Sequence, residues 1–99
     1  MSRWLSSGLR RDCCVALAGA EAPTGQELKA AVEAHYDDRI EPRRFRGAVE
    51  ALVDRGYVAE RTDGIHDRYE LTDAGRRTLA DHVAWLTEQV EGLEGTDEP

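Results

Sequence analysis

The chain has 99 residues, 40% hydrophobic and 33% charged, with 13 Lys and Arg against 20 Asp and Glu for a net charge of −7. That length supports one small domain around a single core, because two cores would leave each half too little apolar surface to bury. No apolar run approaches the roughly 20 residues of a membrane span, and the N-terminus lacks the basic, apolar and small-residue pattern of a secretion signal, so the expected location is the cytoplasm.

The charge is unevenly distributed. All 13 basic residues lie at or before Arg77; through residue 80 they are matched by 14 acidic ones, whereas residues 81–99 carry six acidic side chains and no basic ones. From 39 to 46 four arginines stand against one glutamate, a local excess of +3. Such a patch is the electrostatic footprint that DNA binding needs. With 12 Arg to one Lys and acid elsewhere, the composition also suits a halophile, whose proteins stay soluble through acidic surfaces.

In chain order, Ser6 or Ser7 is placed to cap a first helix, whose Leu9, Cys13, Val15, Ala16 and Leu17 form a broad apolar stripe ending near Gly19. Adjacent cysteines have Cα atoms about 3.8 Å apart, closer than ordinary disulfide geometry allows, so Cys13 and Cys14 are expected as reduced thiols. A redox switch at this pair competes with the commoner behaviour of a thiol on a packed helix, an inert small hydrophobe. After a loop over 19–23, Thr24 with Glu27 three residues on makes a capping box for a second helix, with Leu28, Ala31, Val32 and His35 or Tyr36 on its apolar side. Residues 37–41 read as a short polar turn.

Pro42 then sits at the first position of a third helix, where its missing N–H costs nothing. Phe45, Val49 and Leu52 recur at helical spacing until Gly56 supplies a left-handed cap. Residues 57–61 and 68–71 read as two strands around Asp63-Gly64, the composition of a hairpin with a loose tip. Thr72 is placed to cap a last helix, in which Gly75 allows close backbone packing. Along it Leu79, Val83, Leu86, Val90 and Leu93 fall at steps of 4, 3, 4 and 3, with His82 and Trp85 beside the seam. This is the spacing of a coiled coil and predicts a dimerisation helix over 73–93. The competing reading is that Leu79, Val83 and Leu86 only cover the core, but Val90 and Leu93 lie beyond what so small a core needs. Residues 94–99 are expected to form a disordered acidic tail.

The order helix, turn, helix, hairpin, helix is that of a winged helix-turn-helix. The phrases LVDRGYVAERTDG and YELTDAGRR resemble the end of the recognition helix, the wing and the start of the last helix in PadR-like winged-helix transcriptional regulators. The opening LSSGLRRDCCVAL and the later HYDDRIEPRRFRGAVEALVDRG are similar to the small phage-repressor-like regulators of halophilic archaea. The resemblance covers about residues 5–86, and YELTDAGRR marks winged helices in general more than one subfamily. The expected fold is mainly α with a small β-hairpin: a three-helix core and a two-stranded wing forming a DNA-binding domain over 1–80, followed by the dimerisation helix.

Helical phase selects the residues that would meet DNA. Placing Phe45, Val49 and Leu52 inward turns Arg43, Gly47, Glu50 and Asp54 outward, with Arg44 and Arg46 on the flanks. Arg43 and Arg44 are the expected base readers, since an arginine fork matches guanine O6 and N7. Gly47 lets the backbone approach. Arg46 and Arg39 are expected on phosphates, as is Thr24 or Gln26 at the second helix's N-terminus. In the wing, Arg61 and Arg68 flank the turn and are partly cancelled by Asp63 and Asp67, while Arg68 or His66 is placed to reach a minor groove or phosphate.

Other chemistry has little support. His35, His66 and His82 lack the spacing of a zinc site, and neither a phosphate-binding glycine loop nor a catalytic array is present, so no metal, cofactor or enzymatic activity is expected. The expected function is a homodimeric regulator, a repressor on a palindromic promoter site, bound to double-stranded DNA. The alternative is a winged-helix protein-interaction module whose acidic surface excludes DNA. Operator and small-molecule effector are not encoded in any recognisable pattern.

Overall fold

The computed structural model describes residues 8–96, with side chains through Leu93. They form α1 (Gly8–Ala18), α2 (Gly25–Tyr36), α3 (Pro42–Asp54), β1 (Val58–Asp63), β2 (His66–Leu71) and α4 (Asp73–Thr96). The expected Ser6 or Ser7 cap lies outside the described residues. No helix among the described residues is long and apolar enough to cross a membrane.

One core joins all of these elements. α1 contributes Leu9, Cys13, Cys14 and Leu17, each buried, whereas Val15 is 51% exposed. The expected stripe is therefore corrected by one position: Val15 lies two residues, or about 200°, around the helix from Cys13, and Cys14 takes its place in the core. α2 buries Leu28 and Val32 one turn apart, leaving Ala31 and His35 exposed. Its capping box forms as expected, with the Glu27 N–H donating to the Thr24 hydroxyl (3.2 Å) and the Thr24 N–H to the Glu27 carboxylate (2.8 Å). Asp37, at φ 55, ends the helix in the left-handed region.

The turn between α2 and α3 is less polar than it reads. Ile40 is only 6% exposed, and its N–H donates to the Glu33 carboxylate (2.8 Å), which also accepts from Lys29 (2.9 Å). Those hydrogen bonds, the Ile40 amide's first, hold the Glu33 pKa below its usual value of 4.5; the Thr24 backbone amide does the same for Glu27. A carboxylate with a depressed folded-state pKa contributes stability above its unfolded value and loses it as pH falls through the folded one. Acidification below about pH 4.5 should therefore loosen α2 and the turn first, seen as falling amide protection at Ile40, and Glu33→Gln should remove most of that pH dependence.

α3 begins with Pro42 in its first turn and buries Phe45, Ala48, Val49 and Leu52. It ends in a Schellman motif: Tyr57 N–H reaches Leu52 O and Gly56 N–H reaches Val53 O, both at 3.0 Å, with Gly56 at φ +80. This is the geometry that favours glycine at that position. β1 and β2 pair antiparallel from Val58–Leu71 to Asp63–His66. The connection is only Gly64-Ile65, so the loose tip expected from sequence is corrected to a tight two-residue turn. Gly64, at φ +67, allows it by taking the first central position of the turn. Thr62 and Asp67, paired across the strands, add a 3.0 Å hydrogen bond.

Thr72 caps α4, its hydroxyl accepting from Gly75 N–H (3.1 Å) and donating to Gly56 O (2.6 Å). Gly75 lies so near the chain leaving α3 that a Cβ there would sit 2.1 Å from Tyr57 O, which bears out the expected close packing. α4 runs 24 residues, about 36 Å at 1.5 Å per residue. It continues to Thr96, into the stretch expected to fray, and residues 97–99 lie outside the described residues.

Candidate nucleic-acid interface

The burial of Phe45, Val49 and Leu52 fixes the outward face of α3. Arg43, Arg44, Arg46 and Gly47 are all exposed, as is Arg39 just before the helix. Arg11, Lys29, Arg61, Arg68 and Arg76 each have a carboxylate within 4.0 Å. Among the described residues no such ion pair is formed by Arg39, Arg43, Arg44 or Arg46. Of the eight other Lys and Arg groups on the described residues, Arg10, Arg55 and Arg77 likewise form no ion pair there, and five do, so it is the clustering of the four that sets them apart. Four guanidinium groups thus face solvent together without an ion pair among the described residues, although the charge of Arg39 helps to lower the Glu33 pKa. Gly47 is not required by packing, since an added Cβ there would meet nothing within 4 Å. A glycine in mid-helix costs about 0.5–1 kcal/mol relative to alanine, and nothing inside the chain offsets that cost.

The basic surface ends abruptly. Glu50 and Asp54 occupy the C-terminal half of the same face, and both are exposed. A groove of about 830 Å³ runs between α2, α3 and the hairpin, lined by Lys29 and Arg46 but also by Glu33, Glu50, Asp54, Glu60 and Asp67. Tyr69 lies in this groove and donates its hydroxyl to Glu60 (3.0 Å). Burial, followed by that hydrogen bond, pushes the phenol up to about 12.

The remaining sequence-derived positions are placed unequally. Gln26 is exposed at the start of α2, but Thr24 has both its hydroxyl and its N–H engaged in the capping box. In the hairpin His66 is exposed and Arg61 lies 3.9 Å from Glu70. Arg68 is tied within the chain, its Nε donating to Asp63 (3.1 Å) and an Nη to Ala22 O (3.0 Å). Between these residues the tip presents Ile65, 93% exposed. Sequence reasoning placed Asp63 against Arg68 but passed over Ile65 and the reach of Arg68 to Ala22 and Glu27. A β-branched residue where turn residues are expected was the available signal for Ile65.

Two further positions bear on regulation. Cys13 and Cys14 are fully buried, and both thiols are pushed up to about 12, mainly by that burial. Neither forms the reactive thiolate near neutral pH, so a redox switch would first require α1 to open. On α4, Leu79 is 7% exposed and belongs to the chain's own core, whereas Val83, Trp85, Leu86 and Val90 are between 40% and 48% exposed. His82 sits beside this strip, its Nε2 buried without a hydrogen-bond partner among the described residues and its ring 5.8 Å from Trp85.

Solved structures share this arrangement over nearly its whole length. RosR from H. salinarum, in crystals grown from NaBr, superposes with a TM-score of 0.76 at 22% identity, covering 92% of each chain. The complex hsRosR-S1 gives 0.79 at 22% identity, covering 97% of this chain and 96% of that one. A homodimeric winged helix-turn-helix DNA-binding domain from Mycobacterium bovis gives 0.75 at 19% identity, covering 91% and 78%. The fold is a winged helix-turn-helix. In its terms, α2 and α3 are the helix-turn-helix, α3 takes the place of that fold's second, recognition helix, and β1 and β2 are the wing. No family model matches the sequence, and no curated protein matches it.

Proposed function

We propose that this winged-helix chain is a sequence-specific DNA-binding transcriptional regulator, a PadR-like repressor that occupies a palindromic promoter site as a homodimer in the cytoplasm. The observation that carries the reading is the group Arg39, Arg43, Arg44 and Arg46, clustered, exposed and without an ion pair among the described residues, where a recognition helix enters the major groove. Arg43 and Arg44 read bases, Arg46 and Arg39 hold phosphates, Gly47 admits the backbone, and Gln26 adds a contact at the α2 N-terminus. Arg61 and His66 are the wing's candidates for the minor groove or flanking phosphates. The M. bovis domain, described as homodimeric and DNA-binding, supports the reading at the level of the fold.

Acidity makes the reading testable. Simple counterion release lowers affinity with a log–log salt slope of about −0.9 per neutralised phosphate. Here Glu50, Asp54 and the carboxylates of the groove and wing repel the duplex at low salt, and screening relieves that repulsion at longer range than the arginine contacts. Titrating a duplex across potassium chloride should give a slope shallower than the arginine count implies, flat or rising toward molar salt. A steep negative slope matching every candidate arginine would show that the acidic residues are electrostatically remote from the DNA. The acid-lined groove also favours a second reading, a protein-interaction module that excludes DNA, and a chain that retains no duplex at any salt would overturn the DNA-binding reading and leave this one.

The dimer is proposed to form through α4. Val83, Leu86, Val90 and Leu93 continue the seam past the core, whereas Leu79 is already covered by it. Truncation after Thr87, or Leu86→Asp, should give a folded monomer, visible by light scattering with an unchanged helical spectrum. A wild-type chain that is monomeric at tens of micromolar would argue against both the dimer and the palindromic site.

A further inference from the structure

We propose that Arg68 is a positioning residue that clamps the wing to the start of α2, an inference whose functional consequence rests on the DNA-binding reading. Its guanidinium joins three separate segments. Nε donates to Asp63 at the end of β1 (3.1 Å), and Nη1 donates to Ala22 O in the loop before α2 (3.0 Å) and lies 3.9 Å from Glu27 in the first turn of α2. The side chain is 31% exposed, less than that of Arg61 on the facing strand. Ala22 itself sits at φ 44, a conformation that a non-glycine residue holds only where surrounding contacts enforce it.

The backbone repeats the connection. Tyr69 N–H donates to Pro23 O (3.0 Å), and Thr24 forms an antiparallel bridge with Arg68. β2, between β1 and Thr24, is thus stitched to the chain just before α2, and the side chain of Arg68 closes over the seam. A planar fork suits this task because it serves a carboxylate and a carbonyl on different segments at once. A lysine ammonium has the charge without that geometry. Two of the five guanidinium N–H groups are committed within the chain and fix where the group sits, whereas the arginines of α3 form no ion pair among the described residues. Arg68 therefore acts on DNA through the angle of the wing relative to α3.

Hydrogen exchange and duplex titration on the full chain test this. In the free protein, Arg68→Ala should lower protection of the Tyr69 amide about tenfold or more, since two hydrogen bonds of a charged donor are lost. Asp63→Ala, at the exposed tip, should produce a smaller loss and keeps the test valid if Arg68→Ala folds poorly. On DNA, Arg68→Ala should weaken binding while leaving the salt slope unchanged, whereas loss of a phosphate contact would reduce it by about 0.9. Arg68→Lys should fail to restore affinity. Unchanged Tyr69 protection in Arg68→Ala, or rescue by lysine with the wild-type slope, would overturn the clamp. Failure of the regulatory reading appears separately, as a wild-type chain that binds no duplex.

Discussion

Replacing Gly75 with alanine should destabilise the fold by about 3 kcal/mol although it adds a single methyl group. The new Cβ would lie 2.1 Å from Tyr57 O and 3.0 Å from Tyr57 C, and these are backbone atoms with no rotamer through which to escape. Neither side of the contact is free to retreat. Tyr57 O accepts the Thr72 N–H at 3.1 Å, and the Thr72 hydroxyl donates to Gly56 O at 2.6 Å. Separating α4 from the end of α3 would break both bonds and draw Leu71 and Leu79 out of the core. Gly47→Ala is the matched control, because an added Cβ there meets nothing within 4 Å and should raise stability by about 0.5–1 kcal/mol. Urea denaturation of both variants measures the difference. Equal stability would mean that the junction of wing and α4 is looser than described. Gly47→Ala carries a second expectation: if the α3 backbone approaches DNA there, binding should weaken in a protein that has become more stable.

The other large effect is expected at the start of α3. Arg43→Ala and Arg44→Ala should each cost about 1–3 kcal/mol on the cognate duplex and relax preference at one position, with little change on random DNA. Arg46→Ala and Arg39→Ala should weaken all duplexes alike and shift the log–log salt slope by about +0.9 each. The distinction follows from phase, because Arg43 projects from the outward face directly opposite the buried side of the helix, while Arg46 borders the groove toward the wing. Competition binding with cognate and scrambled duplexes separates the two classes. Equal loss on both duplexes for Arg43→Ala and Arg44→Ala would rule them out as base readers.

Local signals carried most of the architecture. The capping box at Thr24, Pro42 at the head of α3, the Gly56 stop, the Thr72 cap and the close approach at Gly75 each depend on residues within a turn of one another, or on a single missing side chain. Their chemistry was therefore legible as spacing along the chain. The four arginines from 39 to 46 were visible for the same reason. That they are unpaired was not, because an ion pair is a distance between segments.

Tertiary structure decided what spacing left open. Val15 and Cys14 are neighbours on one helix, and only the direction from which α2 and α3 approach α1 selects which is buried. Ile40 reads as part of a polar turn until Glu33, a full turn back in α2, is seen to accept its N–H and pin it over the core. Arg68 has a charge that suits DNA and a nearby partner in Asp63, yet its other partners, Ala22 and Glu27, are more than forty residues away in the chain. The seam of α4 divides in the same manner. The heptad spacing from Leu79 to Leu93 comes from sequence, but the length of helix covered by the core depends on how far the three-helix unit extends beneath it. It covers Leu79 and stops short of Val83. Period and capping are properties of a few consecutive residues and survive in a linear reading, whereas burial and pairing are properties of packing and exist only once distant segments meet.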